Sequence, residues 1–172
     1  LAWSHSIAEG VDPRTNEFYP WTYDYGDVVN IIGGYKIRYA DYDWYQRFKE
    51  TFWAKTFLWF PFMPSDEFEI SFKFRYMGGR PYTDRKYDHN IRRWYVDSFQ
   101  PWNTFRYEPY IRLDLMLQQR FYFEKVNVVA FWDFLNVMNI DNPWEYIYKA
   151  DGTKEMAWQY KTMPIGGVII EF

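Results

Sequence analysis

The composition of this 172-residue chain narrows the classes of protein to which it can belong. It contains no cysteine, which excludes disulfide bonds and thiolate metal sites, and its formal net charge of −3 gives no electrostatic basis for binding nucleic acid. Aromatic residues make up 25% of the chain, far more than a packed core needs, yet no apolar run approaches the roughly 18 residues of a membrane-spanning helix. Tyrosine and tryptophan favour membrane interfaces, because each has an apolar body and a polar tip.

The first forty residues predict two strands separated by a loop. Residues 1–9 alternate weakly between apolar and polar side chains, and residues 27–40 alternate more clearly. Between them, residues 10–25 mix turn residues with aromatics and predict a loop. Gly33 and Gly34 interrupt the second strand, at a place suited to a bulge or a close backbone contact. Because the sequence already reads as mid-strand at its first residue, we expect an N-terminal part outside this chain.

Residues 41–66 predict an amphipathic helix inserted between strands. From residue 44 to residue 52, aromatic side chains fall within about 100° of one another on a helical wheel, and polar side chains occupy the far side. Pro61 and Pro64 end any helix in this region. Such a helix either lies in a membrane interface or packs against another part of the protein, and the sequence leaves both open. The aromatic face consists of Trp44, Tyr45, Phe48 and Phe52.

The middle of the chain predicts three strands and one long loop. Residues 67–83 show the clearest alternation, and residues 84–108 form a polar and aromatic loop. The strand over residues 110–123 has one apolar and one polar parity, and the chain then resumes alternation over residues 126–135. Only Glu124-Lys125 separates the two, which predicts a tight hairpin turn.

Residues 140–155 predict a loop, and residues 156–172 predict a last strand. This gives six antiparallel strands joined up and down. Thirteen residues at roughly 3.3 Å each, tilted by about 40°, span a little over 30 Å, which exceeds a typical soluble strand and crosses the apolar band of about 25 Å on barrel proteins. We therefore expect an all-β fold, the wall of an antiparallel up-and-down transmembrane β-barrel with one amphipathic helical insertion.

The same alternation assigns one face of the strands to lipid and the other to the lumen, because successive side chains of a strand point to opposite faces. The expected lipid-facing side chains are Ile70, Phe72, Phe74, Ile111, Leu113, Leu115, Leu117, Val128 and Trp132. The expected lumen-facing side chains are Lys73, Arg75, Arg112, Asp114, Arg120 and Asp133.

Five segments carry a likeness to a known family. They are residues 19–25 (YPWTYDY), 74–83 (FRYMGGRPYT), 110–114 (YIRLD), 134–139 (FLNVMN) and 164–172 (PIGGVIIEF). In this order they resemble the C-terminal barrel strands of TonB-dependent outer-membrane receptors. The resemblance covers most of the chain apart from residues 41–66. No single motif is decisive, and the ordered set carries the specificity.

The resemblance implies that residues 1–172 are a C-terminal segment of a barrel of about 22 strands, whose plug domain and N-terminal strands are absent from this chain. It implies a transporter in the outer membrane of a Gram-negative bacterium that takes up a scarce solute, of the glycan, siderophore or peptide class. Implied partners are outer-membrane lipid, the barrel-assembly machinery during biogenesis, a TonB-type energy-coupling protein acting through the missing N-terminal part, and a surface lipoprotein or other envelope subunits.

The last strand resembles the assembly signal of barrel proteins, in which a terminal aromatic follows apolar residues at alternating positions. Val168, Ile170 and Phe172 fit that pattern, whereas Gly166 and Pro164 depart from it. In the family this strand is recognised by strand pairing at an exposed edge. The other interpretation is an ordinary edge strand that ends in phenylalanine.

The sequence offers little for catalysis. His5 and His89 are far apart and stand in no metal-ligand spacing. Asp114 and Asp133 fall on the polar faces of adjacent strands, where ion pairs along a lumen are commoner than an acid–base pair. We therefore expect no enzymatic activity, no cofactor and no metal site.

The predicted loops carry cations and planar rings that suit sugars, siderophore-like ligands or peptides, through stacking and charge. The other interpretation, which we favour for any single residue, is an aromatic girdle whose loops pack on one another. The loop residues concerned are Arg92, Arg93, Trp94, Tyr95, Trp102, Trp144 and Tyr146.

Two alternatives to transport stay open on the sequence. One is a structural or assembly subunit of an outer-membrane complex without a transported solute. The other is a soluble β-sandwich carbohydrate-binding module, in which the apolar faces of two sheets would meet in a core. Strands of thirteen residues and the terminal Phe172 argue against the sandwich.

Overall fold

The structure, a computed structural model, describes residues 1–56 and 64–172. Strands make up 52% of it and helices 9%, with mostly antiparallel pairing, so the predicted all-β class is confirmed. In chain order the elements of the first half are β1 (Ala2–Ser6), β2 (Glu9–Val11), β3 (Phe18–Pro20), β4 (Gly26–Ile37), a 3₁₀ turn (Tyr39–Asp41), α1 (Asp43–Lys49), α2 (Phe52–Thr56) and β5 (Glu67–Met77). Those of the second half are β6 (Pro81–Tyr82), β7 (Lys86–Asp88), β8 (Arg93–Tyr95), β9 (Phe105–Arg106), β10 (Tyr110–Tyr122), β11 (Asn127–Leu135), β12 (Pro143–Tyr148), β13 (Lys154–Trp158) and β14 (Met163–Glu171).

The largest sheet has six strands, in the order β1, β4, β5, β10, β11 and β14. Each strand therefore lies beside the sheet strand that precedes it in sequence, which confirms the predicted up-and-down arrangement. Apart from β1, these strands are 9 to 13 residues long. Among the described residues β1 and β14 each have one neighbouring strand, and the sheet does not close into a barrel.

The hairpin of β10 and β11 has the predicted two-residue turn. The backbone N–H of Phe123 donates to the carbonyl of Val126 at 3.0 Å, which leaves Glu124 and Lys125 at the tip. With that turn fixed, the antiparallel register follows, because the turn sets which residues stand opposite one another.

The register brings the apolar parities of neighbouring strands onto one face. Leu117 of β10 stands opposite Trp132 of β11. Val128 of β11 stands opposite Ile170 of β14. Since side chains alternate across a strand, this apolar face continues through β10, β11 and β14. We call it the apolar sheet face.

Gly33 supplies the close contact that the paired glycines of β4 predicted. A Cβ atom on Gly33 would lie 2.8 Å from a ring carbon of Phe72, closer than van der Waals contact permits. The phenylalanine ring of β5 therefore occupies the space that a side chain would take on β4.

The contacts divide the chain into two compact units. The hairpin unit comprises Leu1–Asn30, Arg75–Arg112 and Ile140–Lys161. The helical unit comprises Ile31–Phe74, Leu113–Asn139 and Thr162–Phe172.

In the hairpin unit, three segments predicted as loops contain paired strands, so those predictions were wrong in detail. Residues 10–25 include the β2–β3 ribbon, residues 84–108 include β7–β8 and β9, and residues 140–155 include β12 and the first residues of β13. Each strand of the β2–β3 and β7–β8 ribbons has only three residues, too short for alternation to stand out from the surrounding turn residues.

The single last strand predicted over residues 156–172 is also wrong, because the chain breaks between β13 and β14. The backbone N–H of Gln159 donates to the carbonyl of Asn142 at 2.8 Å in the hairpin unit. In the helical unit, the hydroxyl of Thr162 donates to the carbonyl of Asn136 at 2.8 Å. The residue before the break is therefore bonded to Asn142 and the residue after it to Asn136, and the strand does not continue between them.

The side chain of Asn142 bonds to the backbone of β10 as a neighbouring strand would. Its Nδ2 donates to the carbonyl of Ile111 at 2.9 Å, and its Oδ1 accepts from the N–H of the same residue at 2.8 Å. Asn142 is only 1% exposed. The hairpin of β12 and β13 leaves the sheet directly after this contact.

In the helical unit, the predicted helix over residues 44–52 is divided into α1 and α2. The hydroxyl of Thr51 donates to the carbonyl of Phe48 at 2.7 Å and accepts from the N–H of Ala54 at 3.4 Å. One side chain thus satisfies a carbonyl at the end of α1 and an N–H at the start of α2. The predicted end at Pro61 lies outside the described residues. No helix among the described residues is both long and apolar enough to cross a membrane.

The aromatic face predicted for this helix does not bury as a unit. Tyr45 is 1% exposed, whereas Trp44 and Phe52 are 50% and 74% exposed. Phe48 is half-buried. The helix docks through Tyr45 and Lys49, both of which bind the carboxylate of Asp66.

Candidate functional site

The hairpin of β12 and β13 and the residues directly after it present a cluster of exposed rings in the hairpin unit. Its turn forms because Asp151 Oδ1 accepts hydrogen bonds from both the N–H and the hydroxyl of Thr153, and Gly152 takes a positive φ of 88°. Pro143 pairs with Trp158 and Glu145 pairs with Ala157, so the register shifts at the residue between them. That residue is Trp144, which a bulge of this kind re-aims.

Three aromatic side chains and one amide line an open cleft of about 450 Å³ beside this hairpin. Trp144, Trp158 and Tyr160 are 53%, 52% and 84% exposed, and Gln159 lies between two of them in sequence. The volume is within the range of small-molecule sites, roughly 300–1,000 Å³. We call this site the aromatic cleft.

A smaller polar pocket of about 60 Å³ adjoins the aromatic cleft and shares Trp144 and Gln159 with it. Arg80 and Glu108 bring charge to this pocket. The guanidinium of Arg80 donates to the carbonyl of Trp144 at 2.5 Å, and its carbon lies 5.3 Å from the centre of the Tyr107 ring. It also lies 5.8 Å from the Trp144 ring, so one cation braces two aromatic side chains.

Stacked tyrosines support the β12–β13 hairpin from within the unit. The rings of Tyr82 and Tyr107 stack with centroids 4.3 Å apart, and Tyr146 lies 5.3 Å from Tyr82. Burial, together with the hydrogen bond to Tyr146, raises the pKa of the Tyr82 hydroxyl above its ordinary value. The three rings therefore form a closely packed cluster beneath the hairpin.

Asp84, which lies shortly after β6, binds two side chains of the β12–β13 hairpin. Lys154 Nζ donates to its carboxylate at 2.8 Å, and the hydroxyl of Tyr148 donates at 3.1 Å. Burial by itself raises the pKa of Asp84. The hydrogen bonds and the charge of Lys154 together lower it by more than burial raises it, so the pKa lies below its ordinary value. Burial and the nearby carboxylate raise the pKa of Tyr148 to about 12.

A second cleft, of about 540 Å³, lies between residues 18–20 and residues 101–106. Trp102 meets Tyr19 edge to face at 5.1 Å, and the Arg14 guanidinium covers the Trp102 ring at 4.5 Å. Arg14 also binds the buried carboxylate of Asp12 at 2.6 Å, and this hydrogen bond lowers the pKa of Asp12. Trp102 is thus engaged within the protein, whereas Phe18 and Phe105, which also line this cleft, are exposed.

The structure separates the loop residues that the sequence grouped as ligand contacts. Trp94 is half-buried against Tyr148, and its indole N–H donates to the carbonyl of Lys149 at 2.7 Å. Together with Trp102 and Tyr146, it packs within the protein. Those that remain exposed are Arg92, Arg93, Tyr95 and Trp144.

Sequence reasoning missed the partners of Trp144 in the aromatic cleft. Trp158 and Tyr160 were assigned to a long final strand, and Arg80 to a strand end. The available signal was the Asp151-Gly152 turn, which places residues seven or more positions on either side of it next to each other in a hairpin.

The side chains predicted to face lipid differ widely in exposure. Ile70 and Phe72 are 37% and 43% exposed, whereas Leu117 is 6% exposed. On the same face of β10, Phe121 is 2% exposed, so part of the apolar sheet face is covered within the helical unit. The half-buried members of the set are Phe74, Ile111, Leu113, Leu115, Val128 and Trp132. Contact of these side chains with lipid stays a prediction.

The side chains predicted to face the lumen lie on polar parities. Asp133 stands opposite Met116, which places it on the same sheet face as Asp114 and Arg120. Asp114 is buried and accepts a hydrogen bond from the N–H of Asn136 at 3.0 Å, a structural role. Arg75 of β5 donates to the side chain of Asn30 at 3.1 Å. The half-buried members of the set are Lys73, Arg75, Arg112, Arg120 and Asp133.

The three residues of the predicted assembly signal are exposed on the edge strand β14 or directly after it. Val168 is 60% exposed, Ile170 is 53% exposed and Phe172 is 99% exposed. An unpaired edge with apolar side chains is able to accept another strand. Recognition by the assembly machinery stays a prediction.

The two histidines lie in separate surroundings. His5 contacts Asp27 at 3.0 Å across the β1–β4 pair, and His89 meets the ring of Tyr87 edge to face. Within residues 1–56 and 64–172, no three histidine or acidic side chains come together as metal ligands would.

Comparison of the chain with protein-family models, with curated proteins and with solved structures finds no match. The function is therefore argued from the residues of this chain.

Proposed function

We propose that this chain is part of the wall of an outer-membrane transport barrel, equivalent to the C-terminal strands of a TonB-dependent receptor. The carrying observation is the open up-and-down sheet, five of whose strands have 9 to 13 residues. A tilted transmembrane strand needs about 9–11 residues, whereas strands of soluble sheets have about five or six. The two unpaired edges support the proposal, because a barrel wall continues on both sides.

The apolar sheet face supports a lipid contact. The register of β10, β11 and β14 brings Leu117 beside Trp132 and Val128 beside Ile170 on this face. Val168 and Ile170 of β14, which are exposed and pair with Ala130 and Val128, extend this face to the sheet edge. Exposed aliphatic side chains in such a row are stabilised by hydrocarbon rather than by water.

Charged side chains on β4 and β5 and beside them support a polar lumen. Lys36 forms an ion pair with Glu67, and Arg38 lies 3.4 Å from the same carboxylate. Charged pairs between neighbouring strands are typical of the interior of a transport barrel, which is hydrated.

The lengths of the connections support an orientation. In an up-and-down sheet alternate connections fall at the same end, so the turn at Glu124-Lys125 shares its end with the helical connection between β4 and β5. Short turns are periplasmic in outer-membrane barrels. The three connections that carry the two-stranded ribbons are then extracellular, where an incoming solute meets the protein.

In this proposal the chain works with a plug domain, a TonB-type energy-coupling protein and the barrel-assembly machinery, and with outer-membrane lipid around it. A surface lipoprotein or other envelope subunits complete the set. The chain itself catalyses no reaction, since the wall of a transporter only selects a solute and lets it pass.

Spin labels on adjacent residues of β14 test the proposal. The chain has no cysteine, so Val168→Cys and Ile169→Cys each give a single labelling site. The two side chains are similarly exposed, at 60% and 49%, but point to opposite faces. In lipid vesicles, we expect the label at position 168 to collide preferentially with oxygen, and the label at 169 with a water-soluble nickel complex. Preferential collision with nickel at both positions would exclude the membrane wall.

One observation favours a second candidate, a soluble carbohydrate-binding module. Leu117, Phe121 and Ala130 are 6%, 2% and 4% exposed on one sheet face, as in a protein interior. The same labelling separates the candidates. A soluble module predicts a monomer without detergent and no preference for oxygen at either position.

A further inference from the structure

We infer that the aromatic cleft binds a neutral oligosaccharide, by stacking sugar rings on Trp144, Trp158 and Tyr160. The assignment of this ligand as the transported solute rests on the proposed function. The binding site itself rests only on the geometry of the hairpin unit.

The chemistry of the lining determines the class of ligand. The side chains that line the cleft are three aromatic rings and the amide of Gln159, and none of them carries a charge. Pyranose rings have an apolar face of C–H groups that packs on an aromatic ring, and hydroxyl groups at their edges that bond to amides. A ligand with a fixed charge would find no opposite charge in this lining, so an uncharged ligand is the best match.

The cation that contacts Trp144 is already engaged. Arg80 lies beside the rings of Tyr107 and Trp144 and donates to the carbonyl of Trp144. It therefore braces Trp144 from the polar pocket rather than standing in the cleft as an anion receptor. This arrangement argues against ligands whose recognition depends on a strong negative charge.

The platform is held in place before a ligand arrives. Trp158 belongs to the paired strand β13, opposite Pro143. Gln159 is fixed at both ends, because its N–H donates to the carbonyl of Asn142 and its Nε2 donates to the carbonyl of Pro143 at 3.3 Å. A surface that is ordered in advance loses less entropy on binding, which raises its affinity for a flexible ligand.

The shape of the site indicates an oligosaccharide rather than a single sugar. The cleft of about 450 Å³ shares Trp144 and Gln159 with the polar pocket, in which the carboxylate of Glu108 is an acceptor for hydroxyl groups. A chain of sugars would lay its ring faces on the cleft and direct one end into that pocket.

Isothermal titration of the full chain with uncharged hexasaccharides tests the inference. Maltohexaose, cellohexaose and xylohexaose are the probes, and the detergent is an amine oxide, because glycosidic detergents would compete. We expect at least one probe to bind with a Kd below about 1 mM. Trp158→Ala and Tyr160→Ala should each weaken binding at least about tenfold, since each removes one stacking surface.

Trp21→Ala is the matched control, because Trp21 is 55% exposed in the same unit and does not line the cleft. It should leave the affinity unchanged. Tyr160 is the safer of the two test positions, since it is 84% exposed and its removal leaves the β12–β13 pairing intact. Near-ultraviolet circular dichroism verifies the fold of every variant.

Three results would overturn the inference: no binding of any uncharged probe up to about 10 mM, binding that both variants leave unchanged, or stronger binding of phosphocholine or hexagalacturonate at the same residues. Failure here with the expected spin-label pattern on β14 would leave the barrel wall standing. Success here with labels that meet only water would remove the barrel and keep the sugar site.

Discussion

The carboxylate of Asp66 accepts a hydrogen bond from the backbone N–H of Tyr122 at 2.7 Å, where β10 ends and the chain turns towards β11. The same carboxylate binds Lys49 Nζ of α1 at 2.8 Å and the hydroxyl of Tyr45. Burial and this carboxylate raise the pKa of Tyr45 above its ordinary value. Asp66, at 2% exposure, therefore joins the helical connection to the strand ends.

Replacing Asp66 should release the helical connection. Asp66→Ala leaves the Tyr122 N–H without its acceptor and removes the charge partner of Lys49, which keeps a 3.4 Å contact with the Tyr122 carbonyl, and we expect a loss of about 2–3 kcal/mol in the free energy of unfolding. Urea unfolding in detergent, followed by tryptophan fluorescence, measures it. Asp41→Ala is the control, because its pair with Arg38 is long, at 3.9 Å, and exposed. It should cost less than about 0.5 kcal/mol, and equal losses in both variants would refute the role of Asp66.

Thr51 should set the break between α1 and α2. Thr51→Ala removes the hydroxyl that serves both helix ends, so we expect a loss of about 1 kcal/mol in the free energy of unfolding. The same unfolding measurement applies. Thr56→Ala is the matched control, since its hydroxyl only bonds back to the carbonyl of Phe52 at 2.8 Å. A larger effect at position 56 than at 51 would contradict the capping role.

Replacing Gly79, the residue before Arg80, should destabilise the protein. A Cβ on Gly79 would collide with the backbone carbonyl of Tyr107, which no side-chain rotation relieves. Gly79→Ala should therefore cost about 1–3 kcal/mol in the free energy of unfolding and displace Arg80 from the ring of Trp144. Gly26→Asn is the control, because its positive φ of 66° suits asparagine and nothing lies near its Cβ. Equal stability of wild type and Gly79→Ala would count against this account.

The stability contributed by Asp84 should depend on pH. Its pKa in the folded protein lies below the ordinary value of 3.8, so the contribution is fully present above about pH 5 and is lost as pH falls through the folded pKa. Wild type should exceed Asp84→Asn by about 1 kcal/mol at pH 7, since the pair with Lys154 is about one-third exposed, and the difference should shrink at pH 3.

Urea unfolding at both pH values measures the difference between wild type and Asp84→Asn. The matched control is Asp141→Asn, whose partner Lys161 and own side chain are both about half exposed. It should show little effect at either pH. A difference for Asp84→Asn that stays constant from pH 7 to pH 3 would show that the carboxylate charge is not the cause.

Local sequence patterns are sufficient to predict the long strands of this protein and their pairing. Alternation over β10 and β11 and the short turn at Glu124-Lys125 determine the register, so the pairing of Leu117 with Trp132 follows from the sequence. The paired glycines of β4 predicted a bulge or a close backbone contact, and in the structure the Phe72 ring lies against Gly33.

The errors arose where long-range contacts decide the structure. Alternation runs on from β13 into β14, and long-range bonds such as those of Gln159 to Asn142 and of Thr162 to Asn136 separate the two strands. The aromatic cleft was missed for the same reason. Its rings meet only after the β12–β13 hairpin has formed, and Trp158 then lies across from Pro143.

The Asn142 side chain forms two hydrogen bonds with the backbone of Ile111, so the sequence after Asn142 can change while this contact with β10 is kept. A side-chain amide takes over the bonding of a peptide unit there, so the register of β10 does not depend on the residues of the β12–β13 hairpin. For the proposed sugar site, a different hairpin grafted after this asparagine should therefore change the ligand without disturbing β10, while aspartate in its place would lose the donor and uncouple the graft from the sheet.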